Sequence, residues 1–230
     1  MKLVIGSTRF PMYSRSNPKL TIYIKMSGKK DKFVSIMESE GDFQDKLIAF
    51  VYEKSEKKWF LENFRIGNVH IAGKSTIDYF DEAKDMSDKG HYVPAIIRLS
   101  VANGLLRPAP FVQYEKEKEI KELINKCNSK INEHQFPMLL DLETKPSIYA
   151  ISPQFVKNDL YPLIKYVTKI SFQNEEELNS EVDSMLPVIE GLFPGISRYG
   201  DYVIFRTFDE PPTSKKEYKV FGVAKKVSKN

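Results

Sequence analysis

The sequence predicts an α+β fold, with an antiparallel, strand-rich N-terminal half followed by a mixed α/β C-terminal half. Three observations carry this. In the first half, short runs alternate apolar and polar residues with a period of two and are joined by short polar connections, the pattern of an antiparallel meander. In the second half, apolar stripes at helical spacing are interleaved with short strand-like runs. Across all 230 residues, 41% are hydrophobic and 12% aromatic, enough for a sizeable core and too much for a disordered chain.

The elements follow in order. Leu20, Ile22, Ile24 and Met26 alternate with Thr21, Tyr23 and Lys25, which predicts a strand with one wet face. Phe33–Met37 is a second short run, and Leu47–Tyr52 is almost continuously apolar, as in a strand covered on both faces. Glu53–Lys58 turns the chain into a strand at Trp59–Ile66, and Gly67-Asn68 is expected to turn it again into Val69–Ala72. Ser75 followed by Asp78 has the spacing of a helix cap, Ile77 and Phe80 share a helical face, and Gly90 is a stop signal. Ile96–Ala102 reads as a further strand. Arg107-Pro108-Ala109-Pro110 interrupts both kinds of element, because a proline has no amide proton to donate. The division drawn from this is a strand-rich region at 1–106, a proline-containing connection at 107–114 and a mixed region at 115–230, packed separately or as one domain.

Ile120, Leu123, Ile124, Cys127 and Ile131 form one stripe of an α-helix, with Glu117–Lys121 and Glu122–Lys126 pairs at the favoured spacing. The stripe predicts a helix packed on a sheet, or, because it is narrow, one that binds a partner. Met138–Leu142 and Ile148–Ile151 read as strands. Ser152-Pro153 reads as a helix start, with a break at Pro162. Lys169–Phe172 reads as a strand. Asn174 with Glu177 caps a helix whose stripe is Leu178, Val182, Met185, Leu186 and Ile189, which Pro187 should kink or split. Tyr202–Phe208 and Tyr218–Ala224 close the chain as a hairpin across Pro211-Pro212.

Charge is segregated along this framework. The first thirty residues carry seven Lys or Arg, among them Lys25, Lys29 and Lys30, and no Asp or Glu. The last twenty-six carry seven cations, including Lys225 and Lys226, against three carboxylates. The whole chain is +4, which leaves the residues between the two basic ends at −7. Basic ends favour contact with DNA or RNA, with an acidic protein, or with the acidic middle of a second copy. High Lys and Ile usage with low Ala usage is a bias associated with AT-rich genomes, including those of viruses and mobile elements.

Cys127 is the only cysteine, so no intramolecular disulfide forms, and a soluble, intracellular, cytoplasmic protein is expected. No stretch reaches the roughly 18 apolar residues of a membrane span. His70, His91 and His134 lie in separate segments and define no metal site. None of the common nucleotide-binding, hydrolase or zinc-protease motifs occurs.

Three segments carry candidate chemistry. Asp141 and Glu143, placed two apart on a strand end, would share a face and can seat one divalent cation. The run Asp141-Leu142-Glu143-Thr144 resembles the first motif of DEDD-type exonucleases, which implies two-metal phosphodiester cleavage with Mg²⁺. The chain departs from that family in having no histidine after His134 and no later Tyr-x-x-x-Asp. Glu143-x-Lys145 likewise resembles half of a PD-(D/E)xK nuclease site, without its upstream aspartate on a neighbouring strand. The third segment, Arg198-Tyr199-Gly200-Asp201-Tyr202-Val203-Ile204-Phe205, resembles the base-stacking strand of RNA-recognition modules at Arg198, Tyr202, Val203 and Phe205. Tyr202 and Phe205 fall on opposite faces of a regular strand, so at least one ring belongs to a core.

The reading that needs no missing motif is a non-catalytic binding or assembly protein. Its nucleic-acid contacts would be Lys25, Lys29, Lys30, Arg198, Tyr202, Lys225 and Lys226, and it would need no cofactor. The alternatives are a divalent-metal-dependent nuclease using Asp141, Glu143 and Lys145, and a structural subunit of a homo-oligomer.

Overall fold

The computed structural model describes residues 31–211 and 219–227 in full, together with the strand backbones at 2–3, 8–13 and 21–26. The fold is α+β. The chain divides into two compact units, Met1–Asp81 with Leu99–Leu123, and Glu82–Arg98 with Ile124–Asn230. Among the described residues, no helix is long and apolar enough to cross a membrane.

In the first unit, β1 (Lys2–Leu3) is followed by β2 (Thr8–Tyr13), β3 (Thr21–Met26), β4 (Lys32–Ser39), β5 (Gln44–Ser55), β6 (Lys58–Ile71) and β7 (Lys74–Ser75). An antiparallel sheet runs in the order β1-β4-β5-β6-β7, which is the expected meander. β5 and β6 are joined by the two-residue turn Glu56-Lys57, with Glu56 at φ 55°. Val34, Leu47, Ala49 and Val51 bury one face of this sheet, where Ile36 and Phe111 pack against Val34 and Val51. β2 and β3 pair with each other, and β3 pairs with β8 (Val112–Tyr114), in a separate antiparallel sheet.

Gly67-Asn68 is not a turn, because β6 runs through it. The glycine serves a close approach instead. A Cβ built on Gly67 would stand 2.2 Å from the Pro108 carbonyl oxygen and 2.3 Å from its Cα.

Three helices follow the N-terminal meander: α1 (Thr76–Asp88), α2 (Tyr92–Leu105) and α3 (Glu117–Ile131). The Ser75 amide and hydroxyl both donate to Asp78 Oδ2, at 2.9 and 2.7 Å, and the Asp78 amide returns a bond to Ser75 Oγ, as the spacing predicted. Gly90, at φ 79°, ends α1, with the His91 amide donating to Met86 and the Gly90 amide to Ser87. The predicted strand at Ile96–Ala102 is instead the body of α2. Its first two turns are buried almost all round, and the exposed Ser100, Asn103 and Gly104 form a face only near its end, so the helical period shows weakly. Pro94, in the first turn, was the available sign. In α3, Ile120 and Cys127 are fully buried, at the centre of the predicted stripe.

In the second unit, β9 (Met138–Leu139), β10 (Ser147–Val156), β11 (Asp159–Val167), α4 (Glu175–Leu192), β12 (Tyr202–Phe208) and β13 (Val220–Lys226) build a mixed sheet in the order β13-β12-β11-β10-β9. The expected helix from Ser152 is a β-hairpin, closed by Lys157-Asn158 with Lys157 at φ 54°. Its prolines did not prevent pairing. Pro153 stands opposite Pro162, and the ladder from β11 to β12 begins one residue later, at Leu163 opposite Ile204. β11 and β12 are parallel, joined through α4. The residues at 169–172 are bends and turns on the way into α4, not a strand. Asn174 Oδ1 accepts from the Glu177 amide at 3.2 Å, the predicted cap. Pro187 does not split α4, which continues to Leu192. The terminal hairpin forms as predicted, antiparallel from Tyr202 opposite Lys226 to Phe208 opposite Val220.

Candidate nucleic-acid interface

Alternation sorts β12 into two faces. Val203, Phe205 and Thr207 are buried on the side that α4 covers with Leu178, Val182, Met185 and Ile189. Ile164 and Tyr166, opposite Phe205 and Thr207, complete that layer. Phe205 is therefore a core ring. Burial raises the Tyr166 phenol pKa well above its ordinary value, and the Glu181 carboxylate of α4 adds to the shift.

The other face carries a different set. Tyr202, Ile204 and Arg206 lie along β12. Lys226 stands opposite Tyr202, Ala224 opposite Ile204 and Gly222 opposite Arg206. On the parallel neighbour, Leu163 is opposite Ile204 and Lys165 opposite Arg206. Tyr161, two residues before Leu163, meets the Tyr202 ring edge-on at 5.8 Å between centroids. Gly200 leaves room for that ring, since a Cβ there would lie 2.9 Å from Tyr161 Cδ1.

Lys165, Arg206 and Lys226 have no ion-pair partner among the described residues. The aromatic end is less cationic. Tyr161 has its phenol pKa raised by burial and then by the Asp159 and Asp201 carboxylates. A polyanion on this face is drawn toward the Lys165–Arg206 end, about 13 Å along the strand from Tyr202.

Of the residues singled out from the sequence, only Tyr202 and Lys226 meet here. Lys225, next to Lys226, points to the opposite face and is ion-paired with Asp183 of α4. Arg198 is exposed in the turn before β12 and belongs to another cluster. Its charge, after burial, helps to hold the His91 pKa below its ordinary value, and His91 Nδ1 lies 2.6 Å from the Tyr199 hydroxyl. For Lys25 only the strand backbone is described, and Lys29 and Lys30 lie outside the described residues. Tyr161, Lys165 and Arg206 were not singled out. Arg206 was within reach, being four residues from Tyr202 and so on its face of a strand. Tyr161 and Lys165 were hidden by reading their strand as a helix.

Asp141 and Glu143 do not share a strand face. β9 ends at Leu139, and both carboxylates are exposed in the turn that follows, where the Lys145 amide donates to the Leu142 carbonyl at 2.9 Å. Lys145 itself sits at φ 49°, so the two-residue alternation does not apply. Among the described residues, no three His, Cys, Asp or Glu side chains gather as metal ligands. Comparison with protein-family models, with curated proteins and with solved structures finds no significant match to this chain.

Proposed function

We propose that this chain is a non-catalytic nucleic-acid-binding protein that holds a single strand of RNA or DNA across the face of its C-terminal sheet opposite α4. One observation carries the reading. Three cations without acidic partners among the described residues, Lys165, Arg206 and Lys226, share a sheet face with the exposed ring of Tyr202. Sheets use this combination on single strands because a base stacks on an aromatic ring while the cations follow the phosphates. The exposed aromatic favours a nucleic acid over an acidic protein, which would need only the charge.

The test is fluorescence anisotropy of the full chain with labelled single-stranded oligonucleotides, RNA and DNA in parallel, across a salt series. Three phosphate contacts predict a log–log salt slope of about −2. Lys165→Ala with Arg206→Ala should flatten that slope. Tyr202→Ala should weaken binding by about 1–3 kcal/mol and leave the slope unchanged. No binding at low salt, or a slope indifferent to the paired substitution, refutes the proposal.

A further inference from the structure

The face of the N-terminal sheet turned away from Val34 and Val51 is apolar over its whole middle. Register places Phe33 and Met37 of β4, Ile48, Phe50 and Tyr52 of β5, and Trp59, Leu61, Phe64 and Ile66 of β6 on this one side. The rings touch as a layer, with Phe50 and Phe64 centroids 5.0 Å apart and Phe33 6.4 Å from Trp59. Yet the side chains are open. Met37 is 47% exposed, Trp59 42%, Leu61 54%, Phe64 44% and Ile66 52%.

At those fractions the five side chains present on the order of 500 Å² of apolar surface, at the upper end of the roughly 300–600 Å² of the largest patch on an ordinary monomer. With the half-buried Phe33, Ile48, Phe50 and Tyr52 and a polar rim added, it approaches the roughly 800 Å² per partner that a stable protein–protein contact buries.

The charges around the face decide what covers it. Among the described residues of this face, Lys54 lies 3.9 Å from Asp31, and Lys46, two residues before Ile48, is an exposed cation without an ion pair. A single exposed lysine gives little attraction for anionic lipid, whose recognition takes a cluster of cations, or for an acidic peptide. One lysine per copy also repels little across a two-fold contact, which sets the same patch against itself. We propose that a second copy of this chain covers this face, the two N-terminal sheets packing face to face at the usual spacing of about 10 Å. The contact is apolar, so it strengthens in sulfate, unlike an oligomer built from basic ends on an acidic middle.

Trp59 is the only tryptophan and stands on this face, so the unaltered chain reports on the contact. Sedimentation of the full chain should give twice the chain mass. Dilution should shift the Trp59 emission to the red at the concentration where the mass falls by half. Phe64→Lys with Ile66→Lys, both at exposed positions, should yield a folded chain whose self-association is weakened roughly a hundredfold or more. Leu139→Lys, 64% exposed but in the other unit, should leave the dimer intact.

A monomer mass at every concentration overturns the proposal. So does a dimer that survives the double substitution, or one that Leu139→Lys dissociates. If the double variant does not fold, the dilution series on the unaltered chain decides. A chain that is monomeric alone but whose Trp59 emission shifts to the blue on phosphatidylserine–phosphatidylcholine vesicles also overturns it, and assigns the face to a bilayer.

Discussion

Gly67→Ala is a one-methyl change whose cost can be worked from the structure. The added Cβ would meet three backbone atoms of Pro108, the oxygen at 2.2 Å, Cα at 2.3 Å and the carbonyl carbon at 2.6 Å. Ordinary van der Waals contact begins near 3.4 Å, so either β6 or the segment carrying Pro108 must move by about 1 Å. Neither moves easily. β6 is held in register with β5 on both sides of Gly67, and Pro108 lies in a segment flanked by buried Leu106 and Ala109. Overpacking a well-packed site costs about 1–3 kcal/mol, and a clash with main chain instead of a flexible side chain belongs at the upper end. For a chain of this size, about 3 kcal/mol lowers the melting temperature by about 6–12 °C. Thermal unfolding followed by circular dichroism measures it, with Gly104→Ala as the opposite control. Gly104 is exposed in α2, with nothing within 4 Å of its would-be Cβ, so alanine there should stabilise by about 0.5–1 kcal/mol. A Gly67→Ala protein that melts within a degree of the unaltered chain refutes the steric argument.

Two further predictions concern single side chains, one in each unit. Burial pushes the Tyr114 phenol up to about 12, against the opposing hydrogen bond with Thr76. The unfolded phenol titrates near 10, so the folded chain holds this proton more tightly. Its contribution is full below about pH 10 and lost as pH rises toward 12, about 2–3 kcal/mol in all. Tyr114→Phe should flatten stability across that window in a denaturant series, and an unchanged alkaline loss counts against the assignment. Asn174→Ala removes the side chain that accepts from the Glu177 amide and should cost about 1 kcal/mol, read as a lower denaturant midpoint, while Asn174→Ser should retain most of it.

What the sequence made legible was local. The cap at Ser75 and Asp78, the cap at Asn174 and Glu177 and the stop at Gly90 each satisfy backbone groups within a few residues, so spacing alone reveals them. The N-terminal meander was legible for the same reason, since its connections are short. Elements that failed were set by tertiary context. In α2 the exposed Ser100, Asn103 and Gly104 come too late in the apolar run to show its period. The hairpin of β10 and β11 carries two prolines that argue against a strand until their mutual register removes the need for either amide. Gly67 was read as a turn because a glycine's reason for being there is the approach of a segment some forty residues away. In α4, Glu181 is buried among Leu178, Val182 and Met185, and the Thr168 hydroxyl, which donates to it at 3.0 Å, helps to make that position tolerable.

The candidate site was less legible than the fold, and Lys225 and Lys226 show why. They are adjacent and identical, so charge counting cannot separate them. The strand they share separates them completely. One side chain goes to the α4 face and is neutralised by Asp183, and the other goes to the face of Tyr202 and Arg206. A cation's availability to an external anion depends on which carboxylates fold beside it, and those arrive from other elements. The net excess at the C-terminal end therefore overstates what this face offers. The three cations that do converge come from three different strands, β11, β12 and β13, and no window along the chain contains them together. By the same logic, Lys225→Ala should release Asp183 and leave the salt slope of nucleic-acid binding where it was. Lys226→Ala should reduce that slope by about 0.7, the share of one phosphate on a single strand.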